Sequence, residues 1–485
     1  MAPSTQYESV IGLEVHAELL TASKIFCACS ARFGAAPNEN TCPVCTGMPG
    51  VLPVPNRRVI EFGVRAGLAV GCNIARYSRW ARKNYFYPDL PKGYQISQLE
   101  LPLCQGGTIE IETDSGGHKA VHLTRIHMEE DTGKNIHDAH GDASLVDFNR
   151  CGVPLLEIVS EPDMRSPEEA GAYLRRLRAL LRYLEVCDGN MEEGSFRCDA
   201  NVSIRPVGST KLGTKVEIKN MNSFRAVEKA IAYEVERQAA VLGDGGALKQ
   251  ETRLWDPDRE MTRSMRSKEF ADDYRYFPDP DLPPLVVSER WINEIRDGLP
   301  ELPAARRERF VREYGLPAYD ADVLTTRKDV ADYYEAAVRA HSNPKAISNW
   351  VMGDLLRIVR ERKLDDSLVI RAWPIRPEHV AHLVKLIDDG QISGKIAKTV
   401  FEEMLESGAD PIKIVADKGL VQMSDDTPIL QAIDAVLSAN ADKVAEFRAG
   451  KDKLFGFFVG QVMKATQGKA NPQKLNTLLK ERLTQ

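Results

Sequence analysis

Apolar and polar residues alternate from Val10 to Leu19 (VIGLEVHAEL), the pattern of a strand with one buried face. Glu14, His16 and Glu18 then share the opposite face. Thr108 to Glu112 and His118 to Ile126 read as two further strands around Asp114-Ser115-Gly116-Gly117, which predicts a hairpin. Directly after it stand Glu129, Glu130 and Asp131. Continued alternation sends Glu129 and Asp131 one way and Glu130 the other, ahead of a turn at Thr132-Gly133-Lys134. Val146 to Val159 is another apolar strand region, with Glu157 embedded in it. Met191 to Arg205 puts Arg197, Asp199 and Asn201 on one face and Cys198 and Ala200 on the other; Lys215 to Phe224 likewise groups Lys215, Glu217 and Lys219.

A different period marks the helices. Val59, Phe62, Ala66, Ala69 and Val70 give helical spacing from Arg57 to about Val70. Ser166-Pro167-Glu168-Glu169 is a helix start, with a capping serine, proline at the first helical position and glutamate at the third. Tyr173, Leu174, Leu177, Leu181 and Leu184 supply its apolar face. A second helix follows from Ser223 to about Leu242. Past Pro283-Pro284 and Leu299 to Pro303 the pattern turns helical: Ala304–Tyr314, Arg327–His341, Asn343–Arg362, His379–Asp388 and Lys395–Glu406. A helix opened by Thr427-Pro428 comes next, then Leu454–Thr466 and a short last helix after Gly468-Lys469-Ala470-Asn471-Pro472. The expected class is α+β: a strand-rich catalytic part, then an all-helical part and a small helical tail.

Length and charge sharpen this picture. With 485 residues the chain can build two or three domains. Its net charge of −6 excludes a protein that is basic throughout. Residues 441–485 nevertheless hold nine Lys/Arg against four Asp/Glu, a surplus of +5 that leaves −11 for the remainder and hints at an RNA-facing tail. No apolar run approaches the roughly 20 residues that span a bilayer. MAPSTQYESV has neither the basic nor the apolar region of a signal peptide. A cytoplasmic protein without a membrane partner is expected, its nine cysteines reduced, metal-bound or buried.

Cys27-Ala28-Cys29 and Cys42-Pro43-Val44-Cys45 form two thiol pairs, which suit structural, tetrahedral zinc. Arg82 to Gln98 (RKNYFYPDLPKGYQISQ) mixes cations, aromatics, proline and glycine with little periodicity. It reads as a ligand loop, with Arg82, Lys83 and Lys92 for phosphates or carboxylates and Tyr85, Tyr87 and Tyr94 as walls. If the Glu14/His16 face met the Glu129 face, oxygen and imidazole donors would surround a hard divalent cation. Glu157, a carboxylate in an apolar strand, needs a partner that such a cation would supply.

The segments IGLEVHAEL, RKNYFYPDLPKGYQISQ, HMEEDTGK, PLLEIVSEPD, MEEGSFRCDANVS, EIKNMNSF, DYRYFPDPDLPPL and GFFVGQVMKATQGKANP together resemble the GatB family of bacterial aspartyl/glutamyl-tRNA amidotransferases, over nearly the whole chain. The resemblance implies a cradle-like catalytic domain (1–294) with a zinc-knuckle insertion at 27–45, a helical domain (295–405) and a tRNA-binding tail (406–485). It implies that ATP phosphorylates the side-chain carboxylate of Glu-tRNA(Gln) or Asp-tRNA(Asn). Ammonia from a separate amidase (glutaminase) partner then displaces phosphate, and a small third protein completes a heterotrimer. By resemblance Glu14, His16 and Glu129, extended to Glu157, would hold Mg²⁺. Lys83 and Tyr85, with Asp199 and Lys219, would be catalytic; Arg82, Tyr87, Lys92 and Tyr94 would line the ATP pocket. Cys27, Cys29, Cys42 and Cys45 would hold Zn²⁺, and Lys464, Lys469 and Lys474 would meet tRNA. The chain has no GxxxxGK[ST] loop, no kinase signature set and no amidase-type Ser/Lys constellation, so glutamine hydrolysis belongs on another chain. Two rivals stand beside this reading: a non-catalytic tRNA-binding scaffold, and a free-standing ATP-dependent ligase for a small carboxylate.

Overall fold

The computed structural model describes residues 6–113, 116–137, 143–265, 274–361, 375–421, 426–466 and 469–484. The chain divides into two compact units, Met1–Leu302 and Pro303–Gln485.

The first unit is built on the strand Tyr7–Glu18, whose neighbours Phe196–Pro206 and Pro154–Ser160 both run antiparallel to it. Pro154–Ser160 pairs in turn with His118–Glu130, so Glu129 and Glu130 end a strand, as the alternation expects, and Asp131 follows it directly. Val216–Met221, Glu251–Asp256 and Met261–Ser264 extend the sheet on one side; Cys104–Gln105 and Asn73–Ile74 extend it on the other. Thr108–Glu112 pairs with His118–Glu130 as the expected hairpin. Asp114 and Ser115 of its expected turn lie outside the described residues, as do Arg362 and Gly468.

Alternation divides this sheet into two unlike faces. Leu13, Val15, Met128, Leu156, Ile158 and Val202 belong to one core with Phe62, Leu174, Leu177, Val227 and Ile231 of the helices Arg57–Ala69, Pro167–Tyr183 and Phe224–Gly243. Each fully buried Leu, Ile or Val contributes about 1.5–3 kcal/mol. The predicted starts hold: the Ser166 side chain accepts from Glu169 N–H, and Ser223 from Ala226 N–H. Gly67 lets the first helix approach the sheet, because a Cβ there would stand 2.5 Å from Cys104 Sγ. The residues of opposite parity, from Glu14 to Asp131, form the polar face on which the candidate site is built.

The expected loop at 82–98 keeps a loop at 85–93 but is flanked by the two strands of a ribbon. Ala81–Asn84 pairs with Tyr94–Ser97, and Phe277–Pro278 adds to its edge. That edge strand lies far along the chain, so local periodicity does not reveal it. Ser288 caps a helix, Glu289–Asp297, that the periodicity reading omits.

In the second unit Phe310, Tyr334, Val351, Leu383, Phe401 and Met404 share one apolar cluster. The helix expected over Asn343–Arg362 is three pieces: Pro344–Asn349, a π-helical turn at Trp350–Leu355, and Leu356–Glu361. Ala318–Thr325, Pro411–Asp417 and Ala441–Arg448 are helices that the spacing did not predict. Ile429, Ile433, Phe458, Val462, Leu475 and Leu479 form a separate small core. The cuts expected at 294/295 and 405/406 fall inside the helices Glu289–Asp297 and Gly394–Ser407. The larger cluster continues to Val415 and the smaller begins at Ile429.

Among the described residues no helix is long and apolar enough to cross a membrane.

Candidate metal and phosphate site

Strand register brings three distant segments into one row. His16 lies opposite Glu157, and Glu157 opposite His127. His16 Nε2 is 3.5 Å from Glu157 Oε2 and 3.6 Å from Glu129 Oε1. His127 Nε2 is 3.3 Å from Glu157 Oε2 and 4.0 Å from Glu129 Oε2. Arg125, one pleat further along, places a guanidinium nitrogen 3.7 Å from Glu157 Oε1. Ser97 Oγ donates to Glu129 Oε2 at 3.3 Å. Glu129, Glu157 and His127 are buried.

The charges are strongly coupled. Burial alone would depress the His16 imidazole, but its hydrogen bond to Glu157 and the charges of Glu157 and Glu129 push it up to about 9. Burial opposes ionisation of Glu157, yet His127 and His16 hold it well below the usual carboxylate range.

One donor atom each from His16, Glu129 and Glu157 lies within 4.8 Å of the others, so two carboxylates and an imidazole converge. That donor set fits a hard divalent cation such as Mg²⁺. Glu14 stands beside this group rather than in it. Asn201 donates to Glu14 Oε1 at 2.8 Å, and burial, followed by the Glu157 charge, raises the Glu14 carboxyl. Asp199 and Lys219 are brought together at 3.1 Å, with Glu217 3.2 Å from the same ammonium. At the other end Arg197 donates to Asp131 at 2.9 Å, and Arg150 comes within 3.3 Å of it. Beside Glu14 a cavity of about 460 Å³ opens between Gly12, Asn201, Ser203 and Thr214.

The ribbon distributes its residues to two sides. Lys83 Nζ lies 4.8 Å over the Tyr274 ring, and Tyr274 packs edge-on against Tyr85 and Tyr276 at 5.9 and 6.1 Å. Burial first, then the Glu129 charge, raises the hydroxyls of both Tyr85 and Tyr276. Tyr87 is exposed and meets Tyr85 edge-on at 6.3 Å.

Arg82, Lys92 and Tyr94 depart from the sequence expectation. Arg82 Nε and Nη2 are engaged by Asp279 at 2.8 Å and Asp281 at 2.9 Å, and the guanidinium stacks 4.1 Å above Tyr94. Lys92 donates to Glu130, which points to the sheet's other side, and Ile96 N–H donates to the same oxygen at 2.8 Å. Arg82, Lys92 and Tyr94 line a cavity of about 220 Å³ with Cys27 and Cys45, away from the His16–Glu157 row. For Arg82 the physical reason is the ribbon's alternation, which separates it from Lys83; Lys92 lies in the connecting loop and is taken up by Glu130.

The four cysteines do converge. One Sγ from each of Cys27, Cys29, Cys42 and Cys45 lies within 4.8 Å of the others. Tetrahedral thiolates on zinc stand about 3.8 Å apart at a Zn–S bond of about 2.3 Å. Cys42 Sγ and Cys45 Sγ are 3.9 Å apart, so the donor set and spacing fit Zn²⁺. Hydrogen bonding from Cys27 lowers the Cys45 thiol to about 4, while Cys27 itself is raised. In the tail, Lys464 lies in the last turn of the helix Leu454–Ala465 and is exposed, Lys469 is half-buried, and Lys474 is paired with Asp426 at 2.9 Å.

Sequence reasoning did not single out His127, Arg125, Tyr274 or Tyr276 as site residues. His127 carried a signal, since it stands two residues before Glu129 on the same strand face.

The polar sheet face thus bears a carboxylate/imidazole cluster able to hold a cation, flanked by Arg and Lys side chains. Residues 9–293 match the model of the GatB/GatE catalytic domain, and residues 332–483 match the GatB domain. The chain is 58% identical over 483 residues to the B subunit of aspartyl/glutamyl-tRNA(Asn/Gln) amidotransferase from Geotalea daltonii, covering 99% of both chains. It is also 58% identical over 474 residues to that of Thermodesulfovibrio yellowstonii, covering 98% of both. The chain belongs to the GatB family of aspartyl/glutamyl-tRNA(Asn/Gln) amidotransferases.

Proposed function

We propose that this chain converts Glu-tRNA(Gln), Asp-tRNA(Asn) or both to the amidated forms, using ATP and ammonia delivered from a glutaminase partner. The observation that carries this reading is the His16–Glu157–His127 row with Glu129, buried but for His16 and edged by Arg125. A carboxylate is a poor electrophile. Its oxygen attacks the γ-phosphorus of ATP, the bond to the β-phosphate oxygen breaks, and ADP leaves an acyl phosphate. Ammonia then adds at the acyl carbon and gives up a proton, and phosphate departs with the C–O bonding pair.

Such a transfer needs positioned cations more than a covalent nucleophile. His16, Glu129 and Glu157 would hold Mg²⁺, which supplies charge neutralisation on the phosphate oxygens. Arg125 and His127 hold the transferring group from the same strand face. Lys83 orients the substrate carboxylate, and Tyr85 and Tyr276 exclude water from it. Asp199 keeps Lys219 extended along the face. The cavity beside Glu14 gives the nucleoside room. Cys27, Cys29, Cys42 and Cys45 would hold Zn²⁺ with no open position, so its contribution is to fold the 27–45 segment.

We assign the catalytic part to the first unit, Met1–Leu302, the helical part to the cluster that runs from Phe310 to Val415, and the tRNA-binding tail to the small core that begins at Ile429. Partners are a glutaminase and a small third protein, assembled as a heterotrimer in the cytoplasm. Lys464 and Lys469 offer cations to the tRNA; Lys474 does so only by exchanging Asp426. The test is ADP release by the assembled heterotrimer without glutamine. Addition of Glu-tRNA(Gln) or Asp-tRNA(Asn) should stimulate release, and Glu157→Gln should abolish the stimulation. tRNA-stimulated release that survives Glu157→Gln would support the scaffold reading instead, and release indifferent to tRNA the free-standing ligase.

A further inference from the structure

Beneath the cysteine cluster lies a lysine to which neither the catalytic reading nor the zinc reading gives a role. Lys24 is fully buried, at 0% exposure. Its Nζ donates to Asn40 O at 2.6 Å and to Phe148 O at 3.4 Å, and lies 3.5 Å from Cys45 Sγ. Its stem passes Gly152, where a Cβ would stand 3.6 Å from Lys24 Cδ and 3.4 Å from Cys45 Cβ.

A buried ammonium is strongly disfavoured without a counter-charge. Among the described residues no carboxylate lies within the 4.0 Å ion-pair distance of Lys24 Nζ. Glu130, the acid on that side of the strand, is held by Lys92. Two carbonyls satisfy hydrogen bonds but carry no net charge. The remaining partner in reach is the sulfur of Cys45.

The cluster has the converse need. Four thiolates around one divalent ion leave two net negative charges, here enclosed beside buried protein.

We propose that Lys24 is the built-in counter-cation of the Cys27/Cys29/Cys42/Cys45 centre. Its ammonium sits outside the four ligands, cancels one of the two negative charges, and fixes the direction of the Cys45 sulfur. It is a positioning residue for the metal, not a ligand. Because Nζ also joins Asn40 O to Phe148 O, metal loading is coupled to docking of the cysteine segment on the 147–152 turn. Asn38 and Asn149 reinforce that seam: Phe148 N–H donates to Asn38 Oδ1 at 2.8 Å, and Asn40 N–H to Asn149 Oδ1 at 2.8 Å. This inference rests on the zinc reading of the cluster.

The experiment is zinc competition against a chromophoric chelator on the full chain, comparing wild type with Lys24→Gln and Lys24→Met. Lys24→Gln removes the charge while retaining an amide that can donate to the carbonyls; Lys24→Met removes both. Loss of an outer partner of a metal ligand weakens affinity about 10–100-fold. Both variants should fall in that range. Melting of metal-free and zinc-loaded chains accompanies the titration. The zinc-induced rise in Tm should shrink in both variants. A purely structural lysine would lower the two melting temperatures together and leave zinc affinity unchanged, which overturns the proposal. Affinity lost in Lys24→Met but retained in Lys24→Gln also overturns it, since hydrogen bonding rather than charge would then be responsible. A wild-type chain that binds no zinc overturns the zinc assignment itself; a zinc-binding wild type with unaltered variants overturns the counter-cation alone.

Discussion

Lys92→Met separates a structural cation from a substrate-binding one. The side chains of Lys92 and Glu130 are 7% and 3% exposed. In the variant Glu130 keeps the Ile96 N–H, at 2.8 Å, but loses its ammonium while remaining buried. Unit charges about 3 Å apart at an effective dielectric near 20 attract by about 5 kcal/mol. Relief of the lysine's own desolvation offsets part of this, and breaking a buried pair from one side costs about 3–5 kcal/mol. A domain of 150–250 residues loses about 2–4 °C of Tm per kcal/mol, so a drop of roughly 6–20 °C is expected for this somewhat larger unit. The assay is thermal and urea unfolding of the full chain, followed through the buried Trp80 and Trp255. Glu130→Gln and the double variant complete a cycle, in which the double variant should be less damaged than the sum of the singles by about 2 kcal/mol or more, on the order of a buried-pair coupling. Below its melting range Lys92→Met should leave the KM for ATP unchanged. A variant as stable as wild type with a strongly raised KM for ATP would refute the reasoning and return Lys92 to the nucleotide pocket.

Two further outcomes follow from the second unit and the tail. Glu335 is held at about 2: burial opposes its ionisation, but hydrogen bonds from Arg309 and Arg306 prevail. Its folded pKa lies below the unfolded value, so its stabilisation is present above about pH 4.5 and fades as pH falls towards 2. Glu335→Gln should therefore cost about 1–2 kcal/mol at neutral pH, allowing for partial exposure. Unfolding curves of variant and wild type should converge between about pH 4.5 and 2; a constant gap would contradict the ion-pair account. In filter binding across about 50–200 mM salt, Lys464→Ala should weaken tRNA binding and reduce the salt slope by about one, whereas Lys474→Ala, already paired with Asp426, should change it less. Equal effects would show that the Asp426 pair opens at no cost.

The sequence made legible what depends on neighbours in the chain. Alternation in VIGLEVHAEL assigns Glu14 and His16 to the polar face, and the same rule separates Glu129 from Glu130. The cysteine spacing likewise anticipates the convergence of Cys27, Cys29, Cys42 and Cys45. What stayed hidden depends on register. Nothing local says that His16 faces Glu157 or that Glu157 faces His127, because those pairings join strands more than a hundred, and about thirty, residues apart. Sharing His16's strand face makes Glu14 an expected ligand; it stands one pleat away, against Asn201. Arg82 departs from expectation for the related reason that an irregular composition conceals a two-sided ribbon, and Lys92 because its partner Glu130 lies 38 residues further along the chain. The tyrosines at 274 and 276 reach the site through packing from a segment nearly two hundred residues beyond Tyr85.

The central claim is that the His16–Glu129–Glu157 face activates a tRNA-linked carboxylate. Its most direct test is amidation by the assembled heterotrimer with radiolabelled Glu-tRNA(Gln) or Asp-tRNA(Asn), ATP, Mg²⁺ and glutamine. Wild type, Glu129→Ala and a reaction without ATP are compared. Product that requires both ATP and Glu129, while tRNA binding by Glu129→Ala stays intact, is the predicted result. Amide formed at the wild-type rate by Glu129→Ala, or without ATP, would contradict the claim.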